Sequence, residues 1–176
     1  VERTLGLVEP YLEVLHREIT DAARMVEETG LHIKSFYMGG GTPTTLSADQ
    51  MDRLLTHLNR SFDLSGCVEY CIEAGRPDTI DREKLLALRE AGIGRISINP
   101  QTLEDPVLQA IGRRHSAKDI LDAYALAREV GFDSINMDLI AGLPRDSFEG
   151  FCRSLNGVLA LEPENITVHT LTLKRA

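Results

Sequence analysis

Apolar and polar residues follow two different periods along this chain of 176 residues. In residues 8–28 the apolar side chains recur every three or four positions and form one stripe, which predicts an amphipathic helix that Gly30 is placed to end. The same spacing predicts five more helices, and the one that opens at Asp105-Pro106 is short. Of the other four, one begins after Ser47, and the remaining three cover residues 81–91, 116–130 and 147–161.

Short extended segments lie between these helices and are predicted to be β-strands. They cover residues 32–38, 68–73, 95–99, 134–140 and 166–173. Helices of this length between strands favour parallel pairing with right-handed crossovers. The sequence therefore predicts an α/β fold with about five parallel strands and the helices outside.

Three of the predicted strands have one polar face, whereas a parallel sheet covered by helices on both sides is apolar on both. The pattern favours a barrel whose outer face packs under helices and whose inner face lines a wet or ligand-filled cavity. In such barrels the chemistry lies at the carboxyl ends of the strands. An open, doubly wound sheet with polar strand ends is the alternative. The polar face consists of Glu69, Cys71, Glu73, Arg95, Ser97, Asn99, Ser134, Asn136 and Asp138.

Charge and composition argue against two classes of binding partner, nucleic acids and membranes. The formal net charge is −8 and the basic residues are spread along the chain, so we expect no nucleic-acid partner. No apolar run approaches the roughly 20 residues that a membrane helix needs, so we expect no membrane partner. Three cysteines without a secreted-type framework are typical of a reduced, cytoplasmic setting. Because the chain opens at Val1 without Met, we expect a fragment or a processed protein.

A triple-glycine turn follows the first predicted strand and precedes a capped helix. Gly39, Gly40 and Gly41 permit positive φ and let the backbone approach a ligand closely. The turn lacks the Lys-Ser/Thr ending of a phosphate-binding loop and the dinucleotide-binding spacing. From glycine content alone, a tight structural turn and a ligand loop remain equally open.

Five blocks in order, the first of them at Gly39–Thr44, resemble the oxygen-independent coproporphyrinogen III oxidase branch of the radical S-adenosylmethionine (SAM) enzymes. Residues 167–176 are most similar to the HemZ-like subgroup. The resemblance covers essentially the whole chain and implies a partial (βα)6 barrel, of which residues 1–176 form a core fragment without the first strand. The remaining blocks are Ile72–Pro77, Ile96–Thr102, Ile111–His115 and Asn136–Pro144.

The resemblance also implies a cofactor and its site. SAM is a sulfonium zwitterion, whose ammonium suits carbonyl or carboxylate oxygen, whose carboxylate suits Arg, and whose ribose suits carboxylate or amide acceptors. By position in the family motifs, the residues implied in cofactor binding are Gly40, Gly41, Thr42, Glu73, Gln101, Arg113, Asp138 and Thr172.

Some of these residues also have plainer interpretations from the sequence. Arg113, Arg114 and His115 alone are typical of an exposed basic cluster. Tyr37 is expected to serve packing rather than chemistry, and His169 is interpreted as a core histidine without a catalytic role.

The chain departs from the family at the iron–sulfur cluster. The family's C-x3-C-x2-C loop is absent, and neither the Cys67/Cys71 pair nor Cys152 replaces it, so no metal ligand is assigned here. A [4Fe–4S] cluster is expected only in the full-length parent.

The implied function is oxidative decarboxylation of porphyrinogen propionates in haem biosynthesis. The implied partners are a porphyrinogen-like small molecule and a protein that donates electrons to the cluster. A haem chaperone with the same barrel, and a cluster-free (βα) enzyme or binding module for a small ligand, are the alternatives.

Overall fold

The computed structural model describes residues 6–172, and all structural statements refer to them. Five parallel strands pair in the order β1-β2-β3-β4-β5, with no reversal of direction. A doubly wound sheet reverses its strand order at a switch point, whereas a barrel adds strands sequentially. The sheet curls into a half-barrel, as predicted. The strands are β1 Ser35–Met38, β2 Glu69–Gly75, β3 Arg95–Gln101, β4 Ser134–Ala141 and β5 Asn165–Thr170.

Six α-helices are described, and their caps agree with the sequence signals. Ser47 and Gln50 form a reciprocal capping box at the start of the second helix, and Ser116 forms one with Asp119 at the start of the fifth. Gly30 and Gly131 end their helices in the left-handed conformation. The helices are α1 Val8–Thr29, α2 Ala48–Ser61, α3 Arg82–Glu90, α4 Asp105–Ala110, α5 Ala117–Val130 and α6 Phe148–Leu159.

The core lies between the outer face of the sheet and the helices. Ile96, Ile135 and Met137 are fully buried there, in one cluster with leucines of α2 and α3. Their polar neighbours along each strand face the other side and line the interior of the half-barrel. The predicted division into an apolar outer face and a polar inner face is therefore confirmed.

Two strands differ from their predicted length. β1 begins at Ser35 rather than at residue 32, because its partner β2 begins only at Glu69 and the sole ladder-like bond before it runs from the Val68 amide to the Lys34 carbonyl at 2.8 Å. β3 continues to Gln101, past an irregularity after Ile98 where Pro100 has no amide hydrogen to donate. The predicted end of β5 at residue 173 lies outside the described residues, as do the last four residues of the HemZ-like block.

Within the described residues, none of the helices combines the length and the apolar character needed to cross a membrane.

Candidate functional site

The carboxyl ends of all five strands lie at one rim, because every pair in the sheet is parallel. The glycine turn Gly39–Gly41 follows β1, Glu73 lies near the end of β2, and Gln101 ends β3. Asp138 lies within β4, and Thr172 is an exposed residue just beyond β5. The fold thus brings the predicted residues of the strands to the rim or to the inner face below it.

The inner face forms a polar groove of about 250 Å³ that holds two of the predicted residues, Glu73 and Asp138. Asn136 joins three strands there: its amide donates to Ser97 Oγ at 2.7 Å and to Asp138 Oδ1 at 2.6 Å, and its carbonyl accepts from Thr167 Oγ1 at 2.9 Å. This network holds the Asp138 carboxylate in place. The groove is lined by Tyr37, Glu69, Cys71, Glu73, Arg95, Ser97, Asn136, Asp138, Thr167 and His169.

The glycine turn borders a second groove, at the rim, of about 980 Å³. Gly40 has φ +107° and a Cβ there would meet no atom within 4 Å, so the turn needs glycine for its backbone and leaves open space above it. Gly41, Thr42 and Arg113 line the same groove. Four predicted residues therefore converge on this second groove.

Contacts with β2 and α3 anchor the glycine turn. Thr44 Oγ1 donates to the Ala74 carbonyl at 2.5 Å, and Lys84 Nζ donates to the Thr44 carbonyl at 3.0 Å. Gly75 has φ +68°, and a Cβ there would lie 2.8 Å from Thr42 Cγ2, so the end of β2 and the turn pack closely. Thr42 lines the rim groove, and Glu73, two residues before Gly75, lines the inner groove, so residues close to this contact belong to each of the two grooves.

The basic cluster is only partly exposed. His115 is 5% exposed, and its Nε2 has no hydrogen-bond partner within the described residues. Its Nδ1 lies 3.9 Å from Asp78 Oδ1. Burial lowers the pKa of His115, and burial followed by repulsion from Arg76 lowers the pKa of Arg113. The interpretation of all three residues as an exposed cluster is thus wrong for His115 and holds for Arg114.

Two predicted residues line neither groove. The Gln101 side chain is buried and lies 3.5 Å from the Asn99 carbonyl, with its backbone at φ +71°. Thr172 is held near the end of β4 through its neighbour Leu171, whose amide donates to the Ala141 carbonyl at 3.0 Å. Their part in cofactor binding stays a prediction.

Three residues of these grooves were missed or interpreted otherwise from the sequence. The Tyr37 hydroxyl donates to Glu73 Oε1 across the inner groove, so its role is not packing alone. His169 is exposed and lines the same groove, so its interpretation as a core histidine is wrong. Thr167 shares the polar face of β5, and the alternation of residues 165–170 carried a signal that could have found it.

The side chains fit SAM but not an iron–sulfur cluster. Carboxylates, an arginine and an unobstructed glycine backbone lie at the rim and inner face, which suits a zwitterionic nucleoside. Cys71 is buried in the inner groove and burial raises the pKa of its thiol, while Cys152 lies on α6. No three potential metal ligands cluster in residues 6–172, so this part of the chain has no set of thiolates for a cluster.

A curled parallel half-barrel, with a glycine turn and polar side chains at its carboxyl rim, defines a (βα) barrel with a candidate ligand site at that rim. The model of the radical SAM superfamily matches residues 7–155, and the chain belongs to that superfamily. Membership implies SAM and a [4Fe–4S] cluster as the family's cofactors.

Similar proteins refine this class. The chain is 44% identical over 177 residues to the oxygen-independent coproporphyrinogen-III oxidase-like protein HemZ of Bacillus subtilis, covering 100% of this chain and 35% of HemZ. It is 39% identical over 172 residues to the haem chaperone HemW of the same organism, covering 95% of this chain and 44% of HemW.

A solved structure agrees with both the fold and the branch. The coproporphyrinogen III oxidase HemN from Escherichia coli, a radical SAM enzyme, superposes with a TM-score of 0.84 at 33% identity, over 93% of this chain and 37% of that chain. The chain thus spans between a third and a half of the length of these relatives.

Proposed function

We propose that this chain is the SAM-binding core of a radical SAM oxidoreductase that acts on coproporphyrinogen III. The observation that carries the proposal is the convergence of the glycine turn and Arg113 on one rim groove, with Glu73 and Asp138 on the inner face beside it. Similarity to HemZ and to the coproporphyrinogen oxidase structure supports the substrate class.

The side chains divide the work of holding SAM by their chemistry. In this proposal, backbone groups of Gly40, Gly41 and Thr42 bind the methionine ammonium, and Arg113 binds the carboxylate. Glu73, Asp138 and Gln101 accept hydrogen bonds from ribose hydroxyls or the ammonium, and Thr172 lies near the adenine or a second ligand. When bound and reduced by one electron from the cluster of the full-length protein, SAM would supply a carbon-centred radical. The chain itself orients the ligands and excludes water.

The proposed overall reaction converts a propionate side chain to a vinyl group. One hydrogen atom passes from the carbon next to the ring to the SAM-derived radical, the carboxylate departs as CO2, and the remaining electron passes to a one-electron acceptor outside this chain. In this proposal the cluster thiolates belong to the full-length protein outside residues 1–176. The electron donor to the cluster is a separate protein.

A steric block in the glycine turn tests the proposal. In the full-length protein, Gly40→Val should weaken SAM binding at least about 10-fold in calorimetry and leave the iron–sulfur absorption unchanged. Gly92→Val is the matched control, because Gly92 also has positive φ, at +90°, and an added Cβ also meets nothing within 4 Å. Gly92 lies between α3 and β3, away from the rim. Equal SAM affinity in the two variants would contradict the assignment of the turn.

A haem chaperone is the second candidate, favoured by the 39% identity to HemW. Haem titration and coproporphyrinogen turnover, both measured on the full-length protein, separate the two. Stoichiometric haem binding without turnover would replace the oxidoreductase proposal, and turnover would exclude the chaperone as the main function. Indifference to SAM in both assays would favour a cluster-free binding module.

A further inference from the structure

Tyr37 contacts Glu73 diagonally across the first two strands. In the register of the sheet Tyr37 pairs with Cys71, so Glu73 is the next residue along β2 on the same inner face. Aromatic side chains are long enough to reach such diagonal neighbours. The Tyr37 hydroxyl does so and donates its hydrogen bond to Glu73 Oε1.

The absence of a side chain at Gly39 makes room for this contact. A Cβ at Gly39 would lie 2.6 Å from Tyr37 Cε1 and 2.7 Å from the Tyr37 hydroxyl oxygen. Because Gly39 does not have positive φ, its backbone does not require glycine. Glycine is needed at this position because a side chain would occupy the space of the Tyr37 ring. Gly40 is the opposite case, since it has φ +107° and open space around a Cβ. Two adjacent glycines of the turn thus have different physical reasons to be glycine.

We propose that Tyr37 is a positioning residue that holds the Glu73 carboxylate in one orientation, so that one carboxylate oxygen is occupied by the phenol and the other is presented to a ligand hydroxyl or ammonium. The proposal rests on the assignment of Glu73 to SAM binding under the proposed function. It predicts that Gly39, Tyr37 and Glu73 act as one unit.

The charge state of the phenol agrees with this role. The hydrogen bond to Glu73, followed by burial, raises the pKa of Tyr37 to about 12. Cys71 on β2 and Asp138 on β4 act in the same direction. The phenol therefore stays protonated and remains a donor to the carboxylate across the physiological range.

The contact can be tested without any ligand. Tyrosine labelled with 13C at Cζ gives one NMR signal for each phenol, and loss of one signal in Tyr37→Phe assigns Tyr37. We expect this signal to be unchanged up to pH 11 in the parent protein. In Glu73→Gln and in Gly39→Ala it should titrate at a lower pH than in the parent protein, because the hydrogen bond to Glu73 is the largest contribution to the raised pKa of Tyr37. Titration of Tyr37 at the same pH in all three proteins would overturn the contact.

The positioning role is tested by SAM affinity in the full-length protein. Tyr37→Phe and Gly39→Ala should each weaken binding about 3- to 10-fold, and Glu73→Gln should weaken it at least as much. The double variant Tyr37→Phe/Glu73→Gln should bind no more weakly than Glu73→Gln alone, because the phenol acts only through the carboxylate.

A matched control removes a phenol oxygen from the other side of the same sheet. Tyr70 lies on the outer face of β2 and donates to Asn59 Oδ1 at 3.0 Å, so Tyr70→Phe should leave SAM affinity unchanged. Normal binding by Tyr37→Phe beside weak binding by Glu73→Gln would overturn the positioning role and keep the proposed function. Normal binding by Glu73→Gln would instead remove Glu73 from the cofactor site, and the positioning role with it.

Discussion

His115 shows how one buried side chain can make stability depend on pH. The folded protein lowers the pKa of His115, chiefly by burial, while Asp78 opposes that effect. Between the folded pKa and the unfolded value of about 6.5, the unfolded chain binds the proton more readily. The free energy of unfolding should therefore decrease as the pH falls through about 6.5, and the decrease should level off below the folded pKa.

Urea unfolding at several pH values between 7.5 and 5 measures this dependence. His115→Gln should flatten it, because the glutamine does not titrate. His16 contributes in the same direction, since burial and the neighbouring His57 lower its pKa, so the comparison is best made in a His16→Gln background. An unchanged pH dependence in His115→Gln would show that the buried ring is not its source.

At the residue scale, the side chains that face the site were predictable on strands, where the two-residue period applies, and were not predictable in loops. The two-residue period of the strands predicted that Glu73 and Asp138 share the inner face, and the groove contains both. His115 lies in the loop between α4 and α5, where no period indicates which side chain is buried. The Tyr37 contact depends on strand register, which a single strand segment does not reveal.

At the scale of elements, α3 helps to fix the glycine turn that follows β1. Lys84, on α3, donates from Nζ to the Thr44 carbonyl at 3.0 Å and to the Thr79 carbonyl at 3.1 Å, with the side chain mostly buried. Thr79 Oγ1 in turn lies 2.6 Å from Thr44 Oγ1. One helix thus connects the loops after β1 and β2, and both loops border the rim groove.

Lys84→Met should lower the free energy of unfolding by about 1–3 kcal/mol, because the carbonyls of the buried Thr44 and the partly buried Thr79 lose a charged donor. It should also speed hydrogen exchange at Thr45 and Leu46, whose amides close the short turn of 3-10 helix at Pro43–Thr45. Lys118→Met is the matched control, since Lys118 is exposed and, among residues 6–172, its ion pair is with Asp122 one helical turn away on α5. Equal exchange at these two amides in both variants would show that α3 does not hold the turn.

Element positions were predictable because each helix carries its own start and stop signals. Ser47, Ser116 and Ser147 were expected at helix starts, and all three side chains accept a backbone amide at the N-cap. Strand ends were less predictable because they depend on a partner: β1 is limited by where β2 begins, and β3 resumes its pairing with β4 at Gln101, past the bulge. Helix caps are local in sequence, whereas strand ends are set by pairing.

At the scale of the whole molecule, the polar face of the strands predicted that the sheet forms a barrel. A chain with five strands and intervening helices is compatible with an open sheet or a barrel, and the alternation on three strands favoured the barrel independently of the family resemblance. The sequential strand order confirms it. The site is harder to predict at this scale, because its residues line two grooves and the close approach of Thr42 to Gly75 brings together two segments that are far apart in the sequence.

The distribution of cysteines over the molecule predicts the behaviour of the isolated chain toward iron. Cys71 lies on the inner face, Cys67 donates to the Glu69 carbonyl at the far end of the same strand, and Cys152 lies on an outer helix. A [4Fe–4S] cluster with one open iron needs three converging thiolates. This chain, incubated anaerobically with iron and sulfide, should therefore develop no stable cluster absorption after desalting, whereas the full-length protein should.

The matched variants are Cys67→Ala and Cys71→Ala in the isolated chain. Like the unmodified chain, they should show no cluster absorption after desalting. A desalting-resistant cluster that disappears in either variant would contradict the prediction. It would mean that Cys67 or Cys71 binds iron. It would also require the strand to open at its amino-terminal end, because Cys67 precedes β2 and lies with Cys71 toward the end of that strand opposite the rim that holds the glycine turn.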